Sequence, residues 1–472
     1  MPSLKIAVVL CAAGALSGCA FQKYRLAPLS PVETAASLQA RTLADPGLHA
    51  FMREKAVPPP ANWPLPQWGL RELTLAAFYF NPALQVARAR VSEAEAAIVT
   101  AGARPNPGVS ADVGGETAPE SPWIAGFGFS VPLETAGKRR HRVTQAERLA
   151  DVARWDLAGA AWNVRVQVRS ALLEYVAAGR SLTLLQAEER SRAEQAYLLE
   201  QRLAVGMISR PEADLARLQH TQALLALGAA KERAAQSQAA LAAAIGVPAA
   251  ALQGIHIVWP AFDQPPTAAS LAPAAIQQDA VLNRLDIRRA LAEYSGSEAA
   301  LQLEIARQYP DFNLGPDYAF EEGAHLFSVA LGMVLPIFNR NQGSIAEAKA
   351  RREQMAAQFL AVQAAGIAKS EQALAAYSAA LQQLEQARRL LGQSQAQQQA
   401  AQNALQAGAG DRLALNGAQL QSAITSLAEF SALLKAQQAL GELENAVQRP
   451  LLSGDVQPLS PQSPLLTTAA RK

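Results

Sequence analysis

The chain has 472 residues, a formal net charge of +2 and only two cysteines, Cys11 and Cys19. It is long enough for a large buried core and shows no global charge bias towards nucleic acid. Past Leu16 no apolar run approaches the ~20 residues of a membrane-spanning helix, so any membrane role falls to a covalent lipid or to strands.

At the N-terminus, Lys5 supplies a short positive flank, 6–16 is an apolar run, and Leu16-Ser17-Gly18-Cys19 follows directly. That order is expected of a bacterial lipoprotein signal over 1–18, with the Cys19 thiol taking a diacylglyceryl group before cleavage. Removal of Cys11 with the signal leaves no pair to oxidise or to hold zinc. Ala20, rather than Asp, after the modified cysteine resembles the signal that forwards lipoproteins to the outer membrane. Residues 19–69 then form the lipid-anchored N-terminal region.

The rest of the chain is written twice. Glu95-Ala96-Ala97-Ile98 is echoed by Glu298-Ala299-Ala300-Leu301, Ala103-Arg104 and Pro107 by Ala306-Arg307 and Pro310, and Val131-Pro132-Leu133 by Leu335-Pro336-Ile337. Gly206 with Arg217-Leu218-Gln219 returns as Gly408 with Gln419-Leu420-Gln421.

The first repeat, 70–247, reads as a helix over 81–104, strands over about 107–116 and 122–132, and a helix over 138–205 stopped by Gly206. A further helix opens at Ser209-Arg210-Pro211, with Ser209 as N-cap, and stops at Gly246 before Pro248. A proline-marked linker occupies 248–273. The second repeat, 274–449, has a helix over 284–308, strands over about 310–320 and 324–335, and helices over 342–407 and 411–448. Residues 450–472 read as a polar tail without fixed structure.

The long helices carry coiled-coil spacing. Val164, Val168, Ala171, Tyr175, Ala178, Leu182, Leu185, Glu189, Arg192, Ala196, Leu199 and Leu203 alternate steps of four and three, with Glu189 and Arg192 interrupting the apolar seam. Leu374, Tyr377, Leu381, Leu384, Arg388 and Leu391 repeat the pattern. The strands alternate with period two: Trp123, Phe127 and Phe129 face one way, Gly126, Gly128 and Ser130 the other. Phe312 opposes Asp311 and Asn313, while Phe327, Val329 and Leu331 oppose Ser328, Ala330 and Gly332.

Apolar outside with small or polar inside is a transmembrane β-barrel pattern. Four strands cannot close a barrel, and an open edge in lipid leaves backbone groups unpaired, so the chain must oligomerise. The expected fold is mainly α with a transmembrane β part. A lipid-anchored periplasmic coiled-coil scaffold would explain the helices but not the amphipathic strands.

With these two repeats of long helices flanking a β-hairpin, the chain resembles the TolC-like outer-membrane efflux protein family over about 70–448. The resemblance implies a homotrimer with a twelve-stranded barrel and a periplasmic helical tunnel. It also implies a passive duct joined by a periplasmic adaptor to an inner-membrane pump of the resistance-nodulation-division type. Arg104-Pro105-Asn106-Pro107 and Gly137-Lys138-Arg139 resemble the branch that serves heavy-metal cation exporters; multidrug efflux or type I protein secretion is the alternative cargo.

By the same resemblance the corners Gly206, Met207, Ile208, Ser209 and Gly408, Ala409, Gly410 are adaptor-contact tips, and Arg210, Glu212, Asp214, Asp411 and Arg412 are gate candidates. The acidic pair familiar after the second corner of that family is not reproduced, since Ala414 and Gly417 stand nearby. His49, His141, His220, His256 and His325 show no i, i+4 pairing, so no metal ligand is assigned. The basic run 138–142, following a strand, points to lipid headgroups or helix solvation rather than nucleic acid. No catalytic triad, phosphate loop or cofactor motif is legible, and the only covalent group expected is the lipid on Cys19.

Overall fold

The computed structural model describes residues 22–55, 62–115, 123–267, 284–321, 324–451 and 460–462, with single positions 271, 276, 278, 282 and 466. The expected signal and Cys19 lie outside them. Residues 1–41 and 42–472 form separate units. In the first, α1 (Pro31–Gln39) begins where Ser30 accepts a hydrogen bond from the Glu33 amide.

The second unit holds α2 (Pro46–Lys55), α3 (Leu70–Phe80), α4 (Pro82–Ala101), β1 (Gly108–Gly115), β2 (Trp123–Leu133), α5 (Lys138–Ala204) and α6 (Arg210–Ile245). A 3-10 turn at Ala249–Leu252 follows, then α7 (Leu285–Ala306), β3 (Phe312–Glu321), β4 (Ala324–Met333), α8 (Gln342–Gln406) and α9 (Arg412–Val447). The helix expected over 81–104 starts one residue later because Asn81 is its cap: Oδ1 accepts from the Ala83 amide at 2.9 Å. The Asn81 Nδ2 donates to the Ala244 carbonyl at 3.1 Å, tying this junction to the end of α6. The preceding α3 was not anticipated. Leu73, Thr74, Leu75, Ala76, Ala77 and Phe78 are all buried, while Arg71, Glu72 and Tyr79 keep partial exposure.

α5 has 67 residues and α8 has 65, rods of about 100 Å at ~1.5 Å per residue. Each doubles back on a 36-residue partner, α6 or α9. The seam of α6 uses small side chains, Ala213, Ala216, Ala223, Leu227 and Ala230, whose steps complete a heptad through His220. The residues that break the apolar seam of α5 meet that position: Glu189 bonds the His220 ring at 2.9 Å, and Arg192 donates to Gln219 at 2.7 Å. They form a polar layer that fixes register between the helices of the hairpin.

The principal core lies at mid-length, where Leu48, Trp68, Leu73, Phe78, Trp162 and Leu241 are buried together. The linker is packed into this waist. Phe262 lies against Phe430 and Leu433, and Gln437 Nε2 donates to the Phe262 carbonyl at 2.6 Å. Of the expected polar tail, residues 450, 451, 460–462 and 466 are described. Leu466 is 2 % exposed within the core, and the Leu451 amide donates to Glu444 at 3.0 Å.

The two halves are joined at the waist by a buried ion cluster. Glu444 of α9 accepts from Arg165 at 3.0 Å and pairs with Arg169 at 3.1 Å, all three side chains being almost fully buried. The guanidinium of Arg165 lies over Trp162 and that of Arg169 over Trp259, at 4.8 and 5.5 Å from the ring centroids. Gly441, one turn before Glu444, leaves room for Arg169; a Cβ there would fall inside the guanidinium.

Glycine inside a helix ordinarily costs about 1 kcal/mol against alanine. Here the sign reverses. Gly441→Ala must push Arg169 off Glu444, and we expect it to destabilise the protein by about 1–3 kcal/mol, read as a lower urea midpoint. A raised midpoint would show that the guanidinium can move aside freely.

The sheet runs in the order β1-β2-β3-β4, all antiparallel, and among the described residues the outer edges of β1 and β4 pair with nothing. β4 stops at Met333 rather than 335, since Pro336 and the turn beyond it lead into α8.

Candidate functional site: strand faces and helix tips

In antiparallel pairing, partners across the ladder share a face, so the register alone sorts the sheet. One face collects Val109, Phe127, Phe129, Val131, Phe312, Leu314, Phe320, Phe327, Val329, Leu331 and Met333. All the strand residues expected to face the membrane fall in this set, Trp123 by its backbone position opposite Gly115. Several are open to solvent in the single chain, Phe327 at 81 % and Val329 at 72 %. The other face is mostly small or polar, with Ser110, Asp112, Gly126, Gly128, Ser130, Asn313, Asp317 and Ser328, and it carries two large apolar residues, Ile124 and Leu326, towards the far end of the strands.

At the helix end of the sheet the basic run 138–142 has a structural use. Lys138 Nζ binds Asp311 at 2.7 Å and the Tyr309 carbonyl at 2.6 Å. Arg139 donates to the Gly102 carbonyl at 2.6 Å, and Arg142 reaches the carbonyls of Ala101 and Ala103 at 3.3 Å while pairing with Glu134. The cations therefore satisfy the open carbonyls at the C-terminus of α4 and lock the start of β3 to α5. Sequence reading missed this because most of the acceptors are main-chain carbonyls and Asp311 lies in the other repeat.

At the far end of the rods both corners fold alike. The Met207 amide donates to the Arg202 carbonyl at 2.9 Å and that of Ala409 to Ala404 at 3.0 Å, the six-to-one bond of a Schellman motif. Gly206 and Gly408 take φ of +72° and +73°, where a side chain is strained. Gly410 is constrained differently: its Cβ would stand 2.6 Å from the Leu405 amide. Met207 is 74 % exposed at the first corner, with the smaller Ala409 at the equivalent place. Ser209 occupies the N-cap of α6, but its hydroxyl binds the Glu212 carboxylate at 2.8 Å and makes no bond to the backbone, which corrects the expected capping role.

The gate candidates separate into two groups. Asp411 caps α9 through the Leu413 amide at 3.2 Å, and its second oxygen pairs with Arg202 in the last turn of α5. Arg412 pairs with Glu194 at 2.8 Å, and Asn416 donates to the Ser191 carbonyl at 3.0 Å. These contacts fasten the second hairpin to the first. Arg210, Glu212 and Asp214 stay within the first: Arg210 lies 3.9 Å from Asp214, which also meets Arg217 at 3.0 Å.

Arg202, Glu194 and Ser191 were missed in the sequence, since each meets its partner more than two hundred residues away. The cap bond from Leu413, then the bond from Arg202, hold the Asp411 carboxyl below its ordinary value. Among the described residues no group of three or more His, Cys, Asp or Glu side chains could hold a metal ion, and no helix is long and apolar enough to cross a membrane.

The sequence pattern of the outer membrane efflux protein family matches residues 76–247 and 276–447. The cobalt-zinc-cadmium resistance protein CzcC of Cupriavidus metallidurans is 28 % identical over 292 residues, 61 % of this chain and 68 % of that protein. A membrane protein from Pseudomonas aeruginosa superposes with a TM-score of 0.65 at 21 % identity, covering 80 % of this chain and 90 % of that one. The outer membrane protein VceC of Vibrio cholerae superposes with a TM-score of 0.64 at 19 % identity, covering 80 % and 95 %. With both repeats matched and the helix-and-hairpin plan shared, this chain belongs to the outer membrane efflux protein family.

Proposed function

We propose that this outer-membrane efflux protein works as a homotrimer that closes a twelve-stranded barrel and exports heavy-metal cations. It would be held to the outer membrane also by a lipid on Cys19 and fed by an inner-membrane pump of the resistance-nodulation-division type through a periplasmic adaptor at the helix tips. The observation that carries the reading is the four-stranded sheet with one apolar face and two unpaired edges. Such a sheet is stable in lipid only when other copies complete the ladder, because an unpaired backbone group in hydrocarbon costs several kcal/mol. The metal cargo rests on the likeness to CzcC, a cobalt-zinc-cadmium resistance protein.

The duct itself would do no chemistry. Its contribution is a continuous polar path past the bilayer, with substrate choice belonging largely to the pump. A deletion strain, with and without plasmid rescue, should lose growth on divalent metal salts and keep its tolerance of dyes, detergents and antibiotics. Sensitivity across amphiphilic drugs instead would move the cargo to multidrug efflux, and no phenotype would favour protein secretion.

A further inference from the structure

The charges of this molecule are arranged in opposite ways at its two ends. At the helix tips they cancel within the chain: Arg202 with Asp411, Arg412 with Glu194, Arg210 with Asp214 and Arg217 with Glu200. The last turns of α8 and the second corner, 390–410, contain no Asp, Glu, Lys or Arg at all. Of the gate candidates only Glu212 lacks a cationic partner among the described residues, its carboxylate being bound by the Ser209 hydroxyl. A ring of like charge, the usual basis of ion selection at an aperture, is therefore weak at the tips.

The barrel end is the reverse. Neither 105–137 nor 311–339 contains a Lys or Arg. Every acidic strand residue, Asp112, Asp317 and Glu321, belongs by register to the small-residue face. Two glycines of β2 sit opposite the aspartates, Gly126 across from Asp112 and Gly128 across from Asp317. A Cβ at Gly128 would collide with the Asp317 carboxylate and stand 2.6 Å from the Ser110 hydroxyl, so the carboxylate leans across the glycine over the wall of the sheet. Neither aspartate makes an ion pair among the described residues.

We infer that Asp112 and Asp317 form a cation-selective sleeve inside the barrel, and that this duct selects ions at its exit and not at its periplasmic tips. The inference rests on the trimeric-barrel reading. No fixed ion site is involved; the sleeve acts through its field. Twelve strands about 4.8 Å apart, tilted by roughly 40°, close at a backbone radius of about 12 Å, which leaves inward carboxylates about 8 Å from the axis. That distance matches the Debye length of about 8 Å at physiological ionic strength, so the field of three copies of each aspartate still reaches the centre of the lumen. Cations are concentrated there and anions thinned, which suits an outward flow of metal ions. In about 1 M salt, where the Debye length is about 3 Å, the selectivity must fade.

The test is the reversal potential of full-length trimers in planar bilayers under a potassium chloride gradient. Arg202→Ala/Asp411→Ala/Arg412→Ala/Glu194→Ala serves as the parent, because it removes both ion pairs between the hairpins and two charges of each sign. The parent should be cation-selective. Asp112→Asn/Asp317→Asn should bring the reversal potential close to zero, Asp112→Glu/Asp317→Glu should retain selectivity, and Glu212→Gln should leave it unmoved. A reversal potential unchanged by the double asparagine variant, or shifted as far by Glu212→Gln, would overturn the sleeve while leaving the duct intact. Absence of any conductance in the parent would instead overturn the channel reading and the sleeve with it. Heat-resistant trimers of each variant on gels report that assembly is unaltered.

Discussion

Glu444→Ala is expected to lower the urea midpoint of unfolding sharply. The substitution strands Arg165 and Arg169, two guanidinium groups that share this carboxylate in a site with almost no solvent. Breaking a buried pair by removing one partner costs about 3–5 kcal/mol, a large part of the roughly 5–15 kcal/mol that holds a typical domain. The Leu451 amide loses its acceptor in the same step.

The loss comes from the uncompensated charge more than from missing attraction. Replacing the whole cluster, as in Arg165→Met/Arg169→Met/Glu444→Leu, should therefore recover most of the stability. Urea midpoints of the three proteins decide the matter. An unchanged midpoint in Glu444→Ala would mean that the arginines have another counter-charge at the waist, and a triple variant as weak as the single would mean that packing around Trp162 and Trp259 dominates.

Arg202→Ala should raise outer-membrane leakage of large antibiotics by roughly tenfold to a hundredfold, without lowering the amount of assembled protein. Each exposed pair shifts an open–closed balance by only roughly two- to five-fold. In the proposed trimer three chains opening together multiply the factor, which is why the expected leak is large although each bond is weak. Asp411→Ala should act in the same direction and also uncap α9. Unchanged permeability would remove the latch.

Acid offers an independent check. The folded Asp411 carboxyl titrates below its ordinary value of 3.8, so its contribution is present above that value and is lost as pH falls through the lower, folded one. Leak should stay flat from about pH 8 to about pH 5 and rise only below about pH 4. A rise already near neutrality would assign the gate to another group.

Much of the frame was legible before any coordinates. Period-two alternation in Phe327, Val329 and Leu331, and steps of four and three from Val164 to Leu203, are local regularities that a single segment reveals. What escaped was non-local or aperiodic. α3 is only eleven residues long, and its partly exposed side is confined to Arg71, Glu72 and Tyr79. Leu466 is buried at a position that no local period marks, and the meeting of Arg202 with Asp411 depends on two hairpins lying side by side. The candidate gate was thus half visible: Asp411 and Arg412 stood out beside a glycine corner, whereas Arg202 and Glu194 looked like ordinary charges on long helices.

The ion cluster at the waist also bears on the order in which the molecule can be completed. The chain is written twice, but the cluster is not: residues 165 and 169 stand in the first copy and the carboxylate they need is residue 444 of 472. Crossing the inner membrane from its N-terminus, the protein delivers both arginines and their tryptophan platforms to the periplasm while almost the entire second copy is still behind. Until the closing helix arrives, Arg165 and Arg169 are without the Glu444 carboxylate that they share in the complete fold. Separately secreted halves would share that burden, since neither carries a complete set of charges.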